Sequence, residues 1–275
     1  MKKIIFIILL ISMVQNGLGQ VIDTLINVGN HNLHFNIIKG KNTPILFESG
    51  NGSDGSVWKD LLEQLSASTG ATLITYDRAG LGKSEIDSLN IGFENEVKNL
   101  EIALEKLGYS DKIFIVSHSF GGFYSSLFSF RNKDKVIGAV FIDVATPCDM
   151  NTERATRIKN FISEENWQMI KKYKLGLYYV LKKLPTISNY MEERYIPSSI
   201  PLTLIVAESH NPTPQIGDTE NDMINWEKCL KEFGNLPNHK YILAKETEHR
   251  VWEKNPQIVI DEIIDLYSKE AKKEK

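Results

Sequence analysis

Ser119 stands in the middle of Ser117-His118-Ser119-Phe120-Gly121-Gly122, and the four residues ahead of that segment, Ile113-Phe114-Ile115-Val116, are an apolar run. A buried strand that ends there, turns sharply on one serine and enters a helix at once lifts the hydroxyl clear of the sheet, above a helix N-terminus. A hydroxyl so placed can attack an electrophilic carbon once a base takes its proton. Small residues must flank the turn. Gly121 supplies one, whereas the position two before the serine, Gly in the G-x-S-x-G pattern, is Ser117. A second segment with chemical content is Glu48-Ser49-Gly50-Asn51-Gly52-Ser53, a glycine-laden loop between an apolar run and a helix. Backbone N–H groups that such a loop exposes can hold a developing oxyanion, and the expected pair is the amides of Asn51 and Phe120. The loop lacks the Gly-Lys-Ser/Thr ending of a phosphate cradle.

The elements that must position these residues are legible as changes of period. From Val21 to Lys39 the residues alternate around Gly29-Asn30, which predicts an opening hairpin. Ile45-Leu46-Phe47, Thr72 to Tyr76, Ile113 to Val116, Val136 to Ile142, Leu202 to Val206 and Tyr241 to Leu243 are short apolar runs of the kind expected for strands buried on both faces. Between most of them lie amphipathic segments of helical length. Phe93, Val97, Leu100, Ile102, Leu104 and Leu107 recur before Gly108, and Ile258 to Leu266 repeat the pattern near the carboxyl end. Alternating strand and helix predict an α/β fold, a mostly parallel central sheet with helices on both faces. The connection from Asp143 to Leu202 is too long for a simple crossover, so its helical stretch, about 148–199, is expected to be a cap inserted after the sixth strand. Its aromatic set, Trp167, Tyr173, Tyr178, Tyr179, Tyr190 and Tyr195, is expected to pack as an ordinary small subdomain and, as a group, to give the pocket an apolar roof.

After the second of the buried runs comes Tyr76-Asp77-Arg78-Ala79-Gly80-Leu81-Gly82-Lys83-Ser84. This Asp-Arg-x-Gly-x-Gly-x-Ser segment, the glycine-rich loop before it, the Ser-His-Ser-Phe-Gly-Gly elbow and a late His follow one another as in the α/β-hydrolase fold family, which the chain resembles along nearly its whole length after residue 20. The resemblance implies a structural role for Asp77 and Arg78 beneath the site. It also implies a base and an acid to activate Ser119. Of six histidines, His31 and His34 fall in the hairpin, His118 points away from the apex of the elbow and His239 precedes a strand; His249, before the last helix, occupies the family's base position. The family's usual acid falls near His210, which cannot serve. Asp143, at the end of Phe141-Ile142-Asp143, and Glu208, just past Leu202 to Val206, both remain open, with Asp143 preferred.

By this resemblance the expected activity is that of a serine hydrolase that cleaves a carboxylic ester, thioester, lactone or amide through an acyl-enzyme, on a small-molecule substrate and with no cofactor. Within the fold, an aminopeptidase-like exopeptidase would use Glu192 and Glu193 to hold a substrate ammonium. The reading from a different class is a binding protein of the same fold without chemistry, since fold alone does not imply function.

The chain has 275 residues, 42% of them hydrophobic, enough for one large α/β domain. Met1-Lys2-Lys3, the apolar stretch Ile4 to Val14 and the polar residues from Gln15 to Gln20 have the three regions of a signal peptide, 1–20, leaving 21–275 as the hydrolase-like domain. The apolar stretch is short of the roughly 20 residues of a membrane span. The expected location is therefore secreted or periplasmic, and removal of Lys2 and Lys3 takes the net charge from −3 to −3 − 2 = −5. No basic stripe with interleaved aromatics invites nucleic acid. Cys148 and Cys229 are the only thiols, and spacing leaves open whether they pair. No H-E-x-x-H or C-x-x-C suggests a metal, and His31-x-x-His34 is a weak pattern in a hairpin.

Overall fold

The structure, a computed structural model, describes residues 20–209 and 217–273. Residues 1–19 of the expected signal segment, and His210, lie outside the described residues. Eight strands form one sheet in the order β1-β2-β4-β3-β5-β6-β7-β8. The hairpin is β1 (Val21–Asn27) and β2 (Asn32–Ile38), antiparallel with Val21 opposite Ile38. β2 meets β4 (Ala71–Tyr76) antiparallel, and from there β3 (Asn42–Glu48), β5 (Ile113–His118), β6 (Val136–Ile142), β7 (Leu202–Ala207) and β8 (His239–Ala244) run parallel.

Strand alternation divides the core in two. Leu46, Ile74 and Ile115 pack on one side with Val97 and Leu100 of α2 (Phe93–Leu107), Phe123 and Leu127 of α3 (Gly121–Arg131), and Leu230 and Phe233 of α8 (Glu220–Gly234). Ile45, Phe47, Phe114 and Val116 pack on the other with Leu61 and Leu65 of α1 (Lys59–Thr69) and Val259 and Ile263 of α9 (Pro256–Ala271). Runs apolar at successive positions are what a sheet covered on both faces demands. β8 departs from that expectation: it is only partly buried, with Leu243 exposed, because it is the last strand and has a neighbour on one side alone.

Between β6 and β7 stand four helices, α4 (Thr152–Phe161), α5 (Glu164–Tyr173), α6 (Leu175–Lys182) and α7 (Leu184–Met191). Asn151 and Ser163 cap the first two, each accepting a hydrogen bond from the backbone N–H three residues on. Cys148 and Cys229 are disulfide-bonded, with Cα atoms 5.8 Å apart, so the root of this insertion is tied to α8. Among the described residues no helix is long and apolar enough to cross a membrane.

Candidate active site

The elbow holds Ser119 by backbone bonds on both sides. Its N–H donates to Ile142 O at 3.2 Å, its C=O accepts from Ala145 N at 3.0 Å, and its φ of 55° is in the left-handed region. A non-glycine residue with positive φ costs free energy that the surroundings must offset, and such residues gather where function fixes the backbone. Asp143 is the matching outlier, φ 47°, at the end of the neighbouring strand. Gly121 is set by space: a Cβ there would lie 2.6 Å from Ser49 O, in the loop after β3.

The register of parallel strands then brings three distant side chains into line. His249 Nε2 is 2.9 Å from Ser119 Oγ, and His249 Nδ1 is 2.7 Å from Asp143 Oδ2. With Nδ1 donating to the carboxylate, Nε2 is left free to accept the serine proton. Asp143 is fully buried, and its other oxygen accepts from Ala207 N at 3.2 Å. Glu208 is elsewhere: its side chain is exposed and accepts from Glu246 N at 2.7 Å. Of the two acids left open by the sequence, only Asp143 faces His249.

Three other histidines have other partners. His118 sits beneath His249, its Nε2–H donating to His249 O at 2.9 Å, edge-on to Trp252 and Trp58. Burial, and then the proximity of His249, hold its pKa well below the usual imidazole value, so it is a neutral prop for the loop that carries His249. His34 bridges Asp77 and Asp23 at 2.9 and 3.0 Å in the hairpin region, and His239 donates to Phe233 O at 2.8 Å. Among the described residues no cluster of three or more His, Cys, Asp or Glu side chains could hold a metal ion.

Ser119 and His249 open into a cavity of about 650 Å³, which Asn51 and Phe120 also line. Phe120 is the N-cap of α3, so its amide precedes the helix's own hydrogen bonds. The insertion supplies most of the remaining wall, with Ile158, Ile162, Met169, Ile170, Leu177, Leu181 and Leu184. This roof is apolar, but aliphatic. None of the six aromatic residues expected there lines the cavity. Trp167 and Tyr178 pack edge-to-face with Lys182 over the Trp167 ring at 3.9 Å, and Tyr173 is exposed beneath Lys172. Trp167 is buried, and Tyr190 and Tyr195 pack against the core, so most of these rings serve the insertion's own packing rather than the cavity wall. Glu192 and Glu193, beyond α7, are exposed and do not line the cavity, so they are not placed to hold a substrate ammonium in it.

One wall was not foreseen from the sequence. Arg154 on α4 is buried among Asp149 (3.3 Å) and Asp218 (2.8 Å) and lies over Trp226, whose ring meets His249 edge-on at 5.7 Å. Arg154, Asp218 and Trp226 all line the cavity. Burial pushes the Asp149 carboxyl up to about 6 in spite of its bonds to Thr146 and Arg154. The available signal is spacing, because Arg154 shares a helix face with Ile158, four residues on.

A parallel sheet with a serine at one strand end and an acid and a base at two others is an α/β architecture built around strand-end chemistry. The chain belongs to the alpha/beta hydrolase family, whose sequence profile matches residues 45–224. The haloalkane dehalogenase DatA of Agrobacterium tumefaciens C58 has the same fold, with a TM-score of 0.66 at 15% identity over 90% of this chain and 97% of that one. The uncharacterized protein YqjL of Bacillus subtilis (strain 168) is 36% identical over 101 residues, 37% of this chain and 39% of that protein. The (lyso)-N-acylphosphatidylethanolamine lipase of Bos taurus is 31% identical over 105 residues, 37% of this chain and 30% of that one. The matches thus span less than half the length of these curated relatives.

Proposed function

We propose that the protein is a serine hydrolase acting on a carboxylic ester, thioester, lactone or amide with an apolar arm. The observation that carries this reading is the continuous contact Ser119 Oγ, His249, Asp143 at the floor of an apolar cavity. Ser119 Oγ attacks the carbonyl carbon while His249 Nε2 takes its proton. Asp143 holds the imidazole in the needed tautomer and stabilises the imidazolium. The Asn51 and Phe120 amides receive the oxyanion. Collapse of the tetrahedral species returns the proton from His249 to the leaving oxygen, sulfur or nitrogen and leaves Ser119 acylated. Water, deprotonated by His249, then releases the acid. A binding protein without chemistry draws its support from the His at position 210; with Asp143 in contact with His249, that support is lost.

We further propose that the chain works outside the cytosol. The signal-like residues 1–20 and the Cys148–Cys229 bridge favour it, since disulfides persist in oxidising compartments. Fractionation of expressing cells, with the protein found only in the cytosol, would sink that reading. For the chemistry, intact mass after exposure to a fluorophosphonate is expected to show one adduct on the wild type and none on Ser119→Ala. No adduct on either would end the hydrolase reading.

A further inference from the structure

The loop that carries Asn51 is gripped by two cations at its carbonyl oxygens. Arg78 donates from Nη1 to Ser49 O at 2.6 Å and from Nη2 to Gly50 O at 2.7 Å. Burial opposes its charge, but the Glu48 carboxylate beside it, together with Tyr124, Tyr76 and Glu96, outweighs burial and keeps the guanidinium firmly protonated. Lys174, an exposed residue between α5 and α6, donates from Nζ to Gly52 O at 2.7 Å. Inside the loop, Ser53 N–H donates to Gly50 O at 3.2 Å.

Each carbonyl shares a peptide unit with the next residue's nitrogen, so these bonds are in series. The Lys174 ammonium polarises the Gly52–Ser53 peptide. That peptide's N–H polarises the Gly50–Asn51 peptide, on whose oxygen Arg78 also acts. The relay ends at the Asn51 N–H. No peptide among the described residues is cis, so the Asn51 N–H points opposite to the Gly50 carbonyl and away from Arg78. The nucleophile is close by: a Cβ on Gly50 would lie 3.0 Å from Ser119 Cβ, and Asn51 lines the cavity with Ser119.

We propose that Arg78 and Lys174 are positioning residues of the oxyanion hole, which aim the Asn51 amide at the reacting carbonyl and strengthen it as a donor through this two-peptide relay. The inference rests on the acyl-transfer reading above. Hydrogen bonds in a chain reinforce one another, by roughly 10–30% per bond, and charged donors are the stronger kind. Because Lys174 belongs to the insertion, the relay is complete only when the insertion is seated. Gly176 N–H to Gly80 O at 3.1 Å and Leu177 packed on Gly52 are among the contacts that seat it, beside the glycine loop.

The test is the rate of Ser119 phosphonylation by a fluorophosphonate, resolved into the limiting rate and the half-saturating concentration, with the thermal midpoint measured beside it. Lys174→Met changes an exposed side chain and is expected to lower the limiting rate by about threefold to tenfold, below the roughly 10²–10³ of deleting a donor outright. The half-saturating concentration and the midpoint stay put, and Lys174→Arg restores the rate. Arg78→Met combined with Glu48→Gln, which removes the Arg78–Glu48 ion pair as a unit, is expected to cost more, about 10- to 100-fold below the wild type. If the midpoint or half-saturation moves while the limiting rate holds in both variants, the relay is structural only and the proposal is overturned. A wild type that forms no adduct removes the acyl-transfer reading and this inference with it; a wild type that labels beside variants of equal limiting rate removes the inference alone.

Discussion

The strand ends and the helical insertion both line the cavity around Ser119, yet different forces build them. At the strand ends the reacting groups are fixed by ladder register and by two non-glycine residues of positive φ, Ser119 and Asp143, each bonded through its backbone to a neighbouring strand or loop. In the insertion the wall is aliphatic, with methionine among it, over a buried Arg154 network. Register tolerates no one-residue slip, whereas aliphatic packing accepts exchange at similar volume. The difference teaches where to look for chemistry and where for selectivity.

The largest expected effect tests the first half of that division. Asp143→Asn should lower the rate constant of ester turnover by about 10⁴, the size of losing the tautomer-setting acid. Glu208→Gln should stay within about threefold of the wild type, since its carboxylate only receives the Glu246 amide at the surface. Steady-state rates with a short-chain p-nitrophenyl ester check the ranking, and equal losses would break the assignment.

The disulfide joins the two regions, and its removal asks whether they are separable. Cys148 and Cys229 are 81 residues apart in sequence. Closing a loop of that length is worth on the order of 4 kcal/mol in the chain-entropy picture. Cys148→Ser with Cys229→Ser should therefore lower stability by up to about that amount in a denaturant melt. Phosphonylation of Ser119 in the folded fraction should change by no more than a few-fold. Lost labelling in a protein that is still folded would mean that the strand-end apparatus depends on the insertion's anchor.

Selectivity should answer to the aliphatic wall. Leu181→Trp fills the cavity from α6 without touching Ser119, His249 or Asp143. The ratio of kcat/KM for a p-nitrophenyl octanoate to that for the acetate is expected to fall about 10- to 100-fold, given 1–3 kcal/mol per methylene group in an apolar pocket. Equal changes for both esters would mean that this wall does not read the substrate.

The same division governs what the sequence discloses. The elbow, the glycine loop and His249 are each announced by local residue types beside an apolar run, because a strand end is a local event. Asp143 and Glu208 each lie just past an apolar run, and composition cannot say which faces His249; strand register and the φ of Asp143 decide it. Arg154 with Asp218 is hidden for a stronger reason. The pair is 64 residues apart, on segments whose approach depends on helix packing, and an Arg on an amphipathic helix reads as surface. The aromatic residues of the insertion mislead in the same way, because helix packing sets them against one another and the core rather than against the cavity.

A last effect separates the two regions by pH. Glu96 on α2 is buried, accepts from Tyr124 OH at 3.2 Å, and belongs with Arg78 and Glu48 beneath the glycine loop. Burial pushes its carboxyl up to about 7, against Arg78 and the tyrosine bond, from an ordinary 4.5. Between those values the folded protein keeps a proton that the unfolded chain has lost, so stability falls as pH rises through the window and levels off above it. At about 1.4 kcal/mol per pKa unit, the loss is on the order of 3 kcal/mol. Glu96→Gln keeps an acceptor for Tyr124 and has no charge to bury, so its melts between pH 5 and 8 should lose that slope. Asp149, at the root of the insertion, is raised to about 6 from 3.8 and acts in the same sense, but its window closes a unit earlier. Asp149→Asn should therefore flatten the stability curve only below about pH 6, and Glu96→Gln should flatten it up to about pH 7. If one substitution removed both slopes, the carboxyls would be titrating as a coupled pair, and the separation of sheet from insertion would fail at the level of charge.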